Sequence, residues 1–273
     1  MPALYIVGTP LGNLEDITLR ALRILQEVSL IAAEDTRTTR KLLRRYGVNT
    51  PLTSYHEHNK ARKTREILQT LEKGDVALVS EAGMPTISDP GYELVVAAIQ
   101  RGIPVVPVPG PSAITTALAA SGLPSDQFLY LGFLPRRKAQ RAALLRSVAA
   151  QPRTLVAFEA PHRLRASLKD ILAALGNRRL AVCRELTKRY EEVFRDTVSQ
   201  ALSHFAQPRG EFTLVIEGAP KEVAGPATRA WASKELGRLK QDRVPAREAV
   251  ARVVQGSGLP RREVYRLWLA TPQ

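Results

Sequence analysis

The sequence predicts an α/β protein in three parts: a parallel-sheet N-terminal domain over residues 1–120, a second α/β domain with a mixed sheet over 121–222, and a small basic helical tail over 223–273. Three observations carry this. The first third alternates short apolar runs with amphipathic ones, the β-α repetition of a parallel sheet covered by helices on both faces. From Phe128 onward strand and helix patterns still alternate, but polar and apolar residues mix within the strands, as in a mixed sheet. The last 48 residues carry only helical patterns. A chain of 273 residues, 44% hydrophobic and 24% charged, is long enough for more than one core and has the composition of a soluble globular protein.

The elements follow in order. Leu4–Val7 is a short apolar strand entering the loop Gly8-Thr9-Pro10-Leu11-Gly12-Asn13-Leu14. Asp16 or Thr18 opens an amphipathic helix through Val28, with Ile17, Leu19, Leu22 and Leu25 as its apolar positions. Leu30–Ala33 is a second strand ending in Glu34-Asp35-Thr36-Arg37, and a basic helix follows over Thr38–Tyr46. Pro51–Tyr55 is a third strand, followed by His56-Glu57-His58-Asn59 and a helix over Lys60–Leu71. Val76–Val79 is a strand, Tyr92–Arg101 a helix and Val105–Val108 a fifth strand, after which a helical run starts at Ser112. Ser121-Gly122-Leu123-Pro124-Ser125 reads as a linker. The second domain has strands at Phe128–Phe133, Thr154–Phe158, Leu180–Arg184, Glu192–Arg195 and Phe212–Ile216, and helices over Lys138–Ala149, Pro161–Leu175 and Val198–Ala206. Lys221–Pro226 reads as a second linker. The tail then offers helices over Thr228–Lys240, Ala246–Gln255 and Arg261–Leu269, with Gly256-Ser257-Gly258 between the last two and Pro260 at a helix start. Two short helices joined by a glycine turn resemble a helix-turn-helix, and equally a capping subdomain or a dimer arm.

Lys and Arg number 40 against 26 Asp and Glu, a net charge of +14 that points to a polyanionic partner or to a merely basic surface. The tail from Arg229 contributes ten Lys/Arg and four Asp/Glu. Cys183 is the one cysteine, which excludes an intramolecular disulfide and a cysteine zinc site and fits a cytoplasmic, reducing environment. The N-terminal residues lack a basic leader region, and no apolar run approaches a membrane-spanning length.

The chemistry is expected at the strand ends. Val79 runs into Ser80-Glu81-Ala82-Gly83-Met84-Pro85-Thr86-Ile87-Ser88-Asp89-Pro90-Gly91, and Val108 into Pro109-Gly110-Pro111-Ser112. With the loop at Gly8, three Gly/Pro turns would converge on one rim of the sheet, the fourth and fifth strands being read as neighbours. The Gly8 loop is neither a Walker A nor a Gly-x-Gly-x-x-Gly fingerprint, and alone it reads as a tight strand–helix turn. Ser112 can cap the following helix, and Ala113, Ala117, Ala119 and Ala120 keep that helix slim, for a ligand or for packing. Asp89 suits a ligand amino group or hydroxyl, or forms an Asx-turn. His56 and His58 make a poor zinc pair, and no metal is expected; substrate contact or proton transfer by this pair is the better reading, with a plain surface loop as the alternative. Glu34, Asp35 and Arg37, Glu159 and His162, and Glu185 and Lys188 lie just past strands, where acids, bases and phosphate binders belong, and where caps and ion pairs also occur. Phe158 is a candidate to cover an aromatic ring, or a core aromatic.

These loops resemble the tetrapyrrole methylase superfamily of S-adenosylmethionine enzymes, the class III methyltransferase fold. Within it the chain is similar to the small-subunit ribosomal RNA methyltransferase I family. The matching segments include Leu4–Leu14, Ala33–Arg37, Tyr55–Asn59, Ser80–Gly91, Pro109–Ala113, Gly132–Pro135, Phe158–Arg163, Arg184–Lys188, Gly210–Phe212 and Leu259–Tyr265. Gly83-Met84-Pro85 stands where the superfamily usually has Gly-Asp-Pro, which separates this chain from the corrin and porphyrin methylases. The resemblance implies two α/β domains with S-adenosylmethionine in the cleft between them, a homodimer, no metal, and methylation of the ribose 2′-hydroxyl of cytidine 1402 in 16S rRNA of the 30S subunit. It places cofactor contacts at Pro10, Met84, Asp89, Ser112, Ala113, Phe158, Leu186 and Glu211. Glu34, His56, Glu159, Glu185 and Lys188 are the candidates for the proton acceptor, unranked. Arg37, Arg40, Arg44, Arg136, Arg137 and Arg163 are the expected phosphate binders. Two other readings stay open: a methylase acting on a tetrapyrrole carbon, which leaves the charge unexplained, and a nucleic-acid-binding regulator, which leaves the cleft loops idle.

Overall fold

A computed structural model of the protein describes residues 2–220, 229–242 and 244–271. The second linker, read over Lys221–Pro226, and Thr228 lie outside the described residues. The chain divides into two compact units, Met1–Ala219 and Pro220–Gln273.

The first unit opens with β1 (Leu4–Val7), α1 (Leu19–Glu27), β2 (Leu30–Ala33), α2 (Thr36–Arg45), β3 (Leu52–Ser54), α3 (Lys60–Leu71), β4 (Val76–Val79), α4 (Tyr92–Gln100), β5 (Val105–Val108) and α5 (Ala113–Ser121). Its five strands form an all-parallel sheet in the order β3-β2-β4-β1-β5. The expectation that the fourth and fifth strands are neighbours is corrected here: β1 lies between them, Leu4 pairing with Val76 on one side and Val105 on the other. The reason is visible in composition. Pro107 lacks a donor N–H and is exposed, so β5 is confined to the edge, whereas Leu4 and Val7 are wholly buried, as a central strand requires.

Alternate residues of these strands feed two cores. Ile31, Ala33, Ala77 and Val79 pack with Ile24 and Leu25 of α1 and Leu42 and Leu43 of α2 on one face. Ala32, Val76 and Leu78 pack with Ile67, Leu68 and Leu71 of α3 and Leu94 and Ala98 of α4 on the other. Thr18, rather than Asp16, caps α1, its hydroxyl accepting from Ala21 N at 3.0 Å.

The second half of this unit holds β6 (Phe128–Phe133), α6 (Lys138–Ser147), β7 (Thr154–Glu159), α7 (Pro161–Leu175), β8 (Arg179–Arg184), β9 (Glu192–Thr197), α8 (Val198–His204) and β10 (Phe212–Ile216). The strands form a mixed sheet, β6-β7-β10-β8-β9, with only β6 and β7 parallel. Helices α6, α7 and α8 cover one face through Leu145, Leu164, Leu168, Ile171, Val198 and Ala201. The other face is covered by α5, whose Ile114, Ala117 and Leu118 pack on Val156, Ala181, Cys183 and Val215. The slim helix therefore serves packing at Ala117, and joins the two sheets. The tail is a separate three-helix unit of α9 (Arg229–Gln241), α10 (Ala246–Ser257) and α11 (Arg261–Ala270) around Ala232, Leu236, Leu239, Val250, Val253 and Val264.

The three loops at the carboxyl ends of β4, β1 and β5 are locked to one another. Thr9 N donates to Gly83 O at 2.9 Å and Gly83 N to Thr9 O at 3.0 Å. A Cβ on Gly8 would stand 2.8 Å from Gly110 Cα, and one on Gly110 would stand 2.9 Å from Gly8 Cα, so neither position has room for a side chain. Gly110→Ala and Gly8→Ala are each expected to cost about 1–3 kcal/mol through forced backbone shifts, read as a lower midpoint in urea unfolding. An unchanged midpoint in both would refute the tight crossing.

Candidate functional site

The locked loops form one wall of a cavity of about 690 Å³, and residues of the mixed sheet form the other. All eight residues assigned cofactor contacts line it: Pro10, Met84, Asp89, Ser112, Ala113, Phe158, Leu186 and Glu211. Of the proton-acceptor candidates, Glu34, Glu159 and Lys188 line it, while His56 and Glu185 do not. None of the six phosphate-binding candidates is in the lining.

Three carboxylates, Glu34, Glu81 and Asp89, line this cavity and repel one another. Burial, then the charge of Glu34 and of Glu81, pushes the Asp89 carboxyl up to about 7, against the opposing Ser80 hydroxyl. Glu34 is raised by burial and by the charges of Glu81 and Asp35, and held back by the Glu81 N–H at 3.4 Å and by His56. The loop carrying Asp89 is strained: Thr86 and Ser88 have φ of 73° and 68°. It is anchored across to the second sheet by Ser88 Oγ and Tyr130 Oη, 2.6 Å apart.

On the opposite wall Lys188 reaches Glu185 Oε1 at 3.2 Å and Glu211 Oε2 at 3.0 Å. Burial alone would ease its proton off, but the two carboxylates outweigh this and hold it charged. Glu185 is likewise lowered on balance: burial raises it, while the Glu211 N–H at 2.9 Å and Lys188 together outweigh burial. The Lys188 stem lies so close over Gly12 that a Cβ there would be 2.2 Å from its Cγ.

Aromatic rings close the cavity on the second-sheet side. Phe158 packs edge-to-face with Tyr130 and Phe133 at centroid separations of 5.3 and 5.4 Å. The β6–β7 register shifts between Tyr130 and Phe133, at Gly132 with φ of 67°, and Phe133 lines the cavity while 55% exposed. Sequence reasoning missed Phe133 as a site residue, and Glu81 as the third acid; Gly132-Phe133 at a strand end was the available signal for the first.

Several candidates have other commitments. Glu159 is buried, paired with Arg163 at 2.6 Å and hydrogen-bonded by the Ser167 hydroxyl. Arg163 also donates to Leu134 O at 2.9 Å, so its guanidinium is held inside. Ser112 occupies the N-cap position of α5, but its hydroxyl makes no capping bond; the expected cap is absent. His56 Nε2 lies 3.1 Å from the Asn59 amide, and its Nδ1 is buried with no hydrogen-bond partner among the described residues. Arg37, Arg40 and Arg44 are exposed along α2, and Arg136 and Arg137 are exposed just after Phe133-Leu134-Pro135. Among the described residues no cluster of three or more His, Cys, Asp or Glu could hold a metal ion, and no helix is long and apolar enough to cross a membrane.

Residues 3–202 match the family model of tetrapyrrole (corrin/porphyrin) methylases. Proteins named ribosomal RNA small subunit methyltransferase I are similar over nearly the whole chain. That of Halalkalibacterium halodurans is 47% identical, covering 97% of this chain and 94% of its own. That of Escherichia coli O157:H7 is 44% identical, covering 96% and 93%. The chain belongs to the ribosomal RNA small subunit methyltransferase I family of tetrapyrrole methylases. The fold agrees: a diphthine synthase superposes with a TM-score of 0.65 at 13% identity, covering 79% of this chain and 90% of that one. The Thermus thermophilus uroporphyrin-III-C-methyltransferase gives 0.55 at 23%, covering 79% and 94%.

In this family member Asp89 titrates higher when folded than its ordinary value of 3.8. Between the two values the folded state holds the extra proton, so Asp89 favours folding at low pH, and that contribution is lost as pH rises toward about 7. Asp89→Asn should therefore gain thermal stability relative to wild type as pH is raised from 4 to 8. Parallel melting profiles for the two proteins would exclude the shift.

Proposed function

We propose that this protein transfers a methyl group from S-adenosylmethionine to the ribose 2′-hydroxyl of cytidine 1402 in 16S rRNA of the small ribosomal subunit. The observation that carries the reading is an acidic, aromatic-walled cavity inside a chain of net charge +14. A cationic small molecule fits the inside, and a polyanion fits the outside. Family membership and the names of the relatives support the same reading.

The residues present fit the cofactor. Glu34 and Glu81 suit its ammonium and sulfonium charges, Phe158 and Phe133 offer faces for its purine, and the Gly83 backbone allows close approach. S-adenosylmethionine, when bound, supplies a methyl group already electrophilic enough to be displaced without a metal. The protein must then align the ribose oxygen for in-line attack and accept its proton. Asp89 is the strongest acceptor: it lines the cavity, no cation among the described residues pairs with it, and its proton affinity lies near neutrality. Lys188 stays charged and serves as a cation beside the site. Glu159 is consumed by Arg163. Arg37, Arg40 and Arg44, with Arg136 and Arg137, would hold phosphates.

The protein would act in the cytoplasm as a homodimer. An exposed apolar stripe on α4, with Tyr92 70% and Ile99 61% exposed, offers the surface for a second copy.

Small subunits incubated with isotopically labelled S-adenosylmethionine should gain label at cytidine 1402, and subunits carrying a 2′-deoxy residue there should not; label elsewhere, or none, refutes the assignment. Asp89→Asn should lower kcat about a hundredfold or more. A variant of near-normal rate would remove Asp89 as acceptor. Tyr92→Glu with Ile99→Arg should convert a dimer to a monomer by light scattering, and a dimer that survives both would clear α4 of that role.

A further inference from the structure

The tail segregates its charge. Each glutamate on its helices is neutralised within the unit: Glu235 by Arg238 at 2.6 Å, Glu248 by Arg252 at 2.5 Å and Glu263 by Arg229 at 2.5 Å. Arg261, Arg262 and Arg266 of α11 form no ion pair among the described residues, and all three are exposed. Arg262, Tyr265, Arg266 and Leu269 recur at helical spacing on one face, with Tyr265 51% and Leu269 66% exposed. Val264, Leu267 and Trp268 face the core instead.

That face is rigidly presented. Gly258, with φ of 67°, ends α10 in the left-handed conformation, and Leu259-Pro260 lead straight into α11. The other end of α11 is closed by Lys240, whose Nζ donates to Trp268 O at 3.3 Å and Thr271 O at 2.5 Å and sits 5.1 Å from the Trp268 ring centroid. Arg261 and Arg262 occupy the first turn of α11, where the helix dipole disfavours cations, and the acid of that turn, Glu263, is paired with Arg229 instead. Exposed guanidinium groups with no acid committed to them are free to meet a polyanion from outside the chain.

We propose that the exposed face of α11 is a docking surface for the sugar–phosphate backbone of structured RNA, carried by a unit of its own. Guanidinium forks match phosphate oxygens, and an exposed tyrosine beside them can stack on an unpaired base. The apolar part, Tyr265 and Leu269, is too small for insertion into a bilayer. The proposal goes beyond the methyl-transfer reading and does not depend on it.

The test is binding of the full-length protein to 16S rRNA in small subunits across a salt series. Arg261→Ala, Arg262→Ala and Arg266→Ala combined should weaken binding about tenfold or more near 0.1 M salt and lower the slope of log affinity against log salt by about 2–3. The melting temperature of the triple variant should match wild type. The corresponding triple lysine variant, which keeps the charges, should retain most of the slope. Loss in both variants, or in neither, overturns the proposal. So does a triple-alanine variant that loses binding only to vesicles of anionic phospholipid. A chain that docks RNA through α11 yet transfers no methyl group to it would sink the methyl-transfer reading and leave this one standing.

Discussion

The site rests on one close approach, the crossing of the Gly8 and Gly110 backbones beside the reciprocal Thr9–Gly83 hydrogen bonds. This junction draws the ends of β4, β1 and β5 into a single wall. It also fixes where α5 begins, three residues after Gly110. Because α5 is the helix on which the second sheet packs, the position of the opposite wall follows from the same junction. A methyl group added at either glycine would be felt on both sides of the cavity. Packed interiors have two discrete arrangements or one, and do not deform smoothly.

Charge is organised by distance from that junction. Inside, Glu34, Glu81 and Asp89 crowd into a partly dehydrated space, where burial and the charge of Glu81 raise the proton affinity of Glu34, and burial with the charges of Glu34 and Glu81 raises that of Asp89. Outside, α2 turns Arg37, Arg40, Lys41, Arg44 and Arg45 to solvent, while Thr38, Thr39 and Leu42 of the same helix line the cavity. One helix thus separates a basic exterior from an acidic interior. Salt of physiological strength screens exposed charges over roughly 8 Å, so the exterior field can gather a polyanion without cancelling the short-range attraction of the interior for a cation.

Much of this was legible in the sequence, for identifiable reasons. Leu4–Val7, Leu30–Ala33, Val76–Val79 and Val105–Val108 are strands with the predicted bounds because short apolar runs between turn residues have few other ways to be buried. The gathering of the Gly8, Gly83 and Gly110 turns was legible too, since strand ends of a parallel sheet share one rim. Strand order was not, although Pro107 already marked β5 as an edge. Pairing between side chains distant in sequence was also invisible. Nothing local says that Lys188 reaches across to Glu211. Asp89 was legible as a ligand contact, but its proton affinity depends on Glu34 and Glu81, which only the fold brings near. Phe133 was legible only as the end of a strand; the register shift at Gly132 belongs to the sheet pairing.

The distribution of backbone strain says how such a site is held. The non-glycine residues with positive φ among those described are Thr86 and Ser88 in one cavity loop and Glu185 and Thr187 in the other. Two are β-branched, for which that conformation is a true outlier, and each such residue costs of order 1–3 kcal/mol. Neither loop would keep this shape alone. Ser88 is tied to Tyr130 of the mixed sheet, and Thr187 Oγ1 accepts from Asn13 N, in the loop after β1, at 3.2 Å. Each strained loop is therefore fixed by a bond to the opposite half of the cavity, so its conformation is a property of the assembled pair of sheets. A ligand touching both walls stabilises the same contacts that hold the strain, which couples its binding to the stability of the whole first unit.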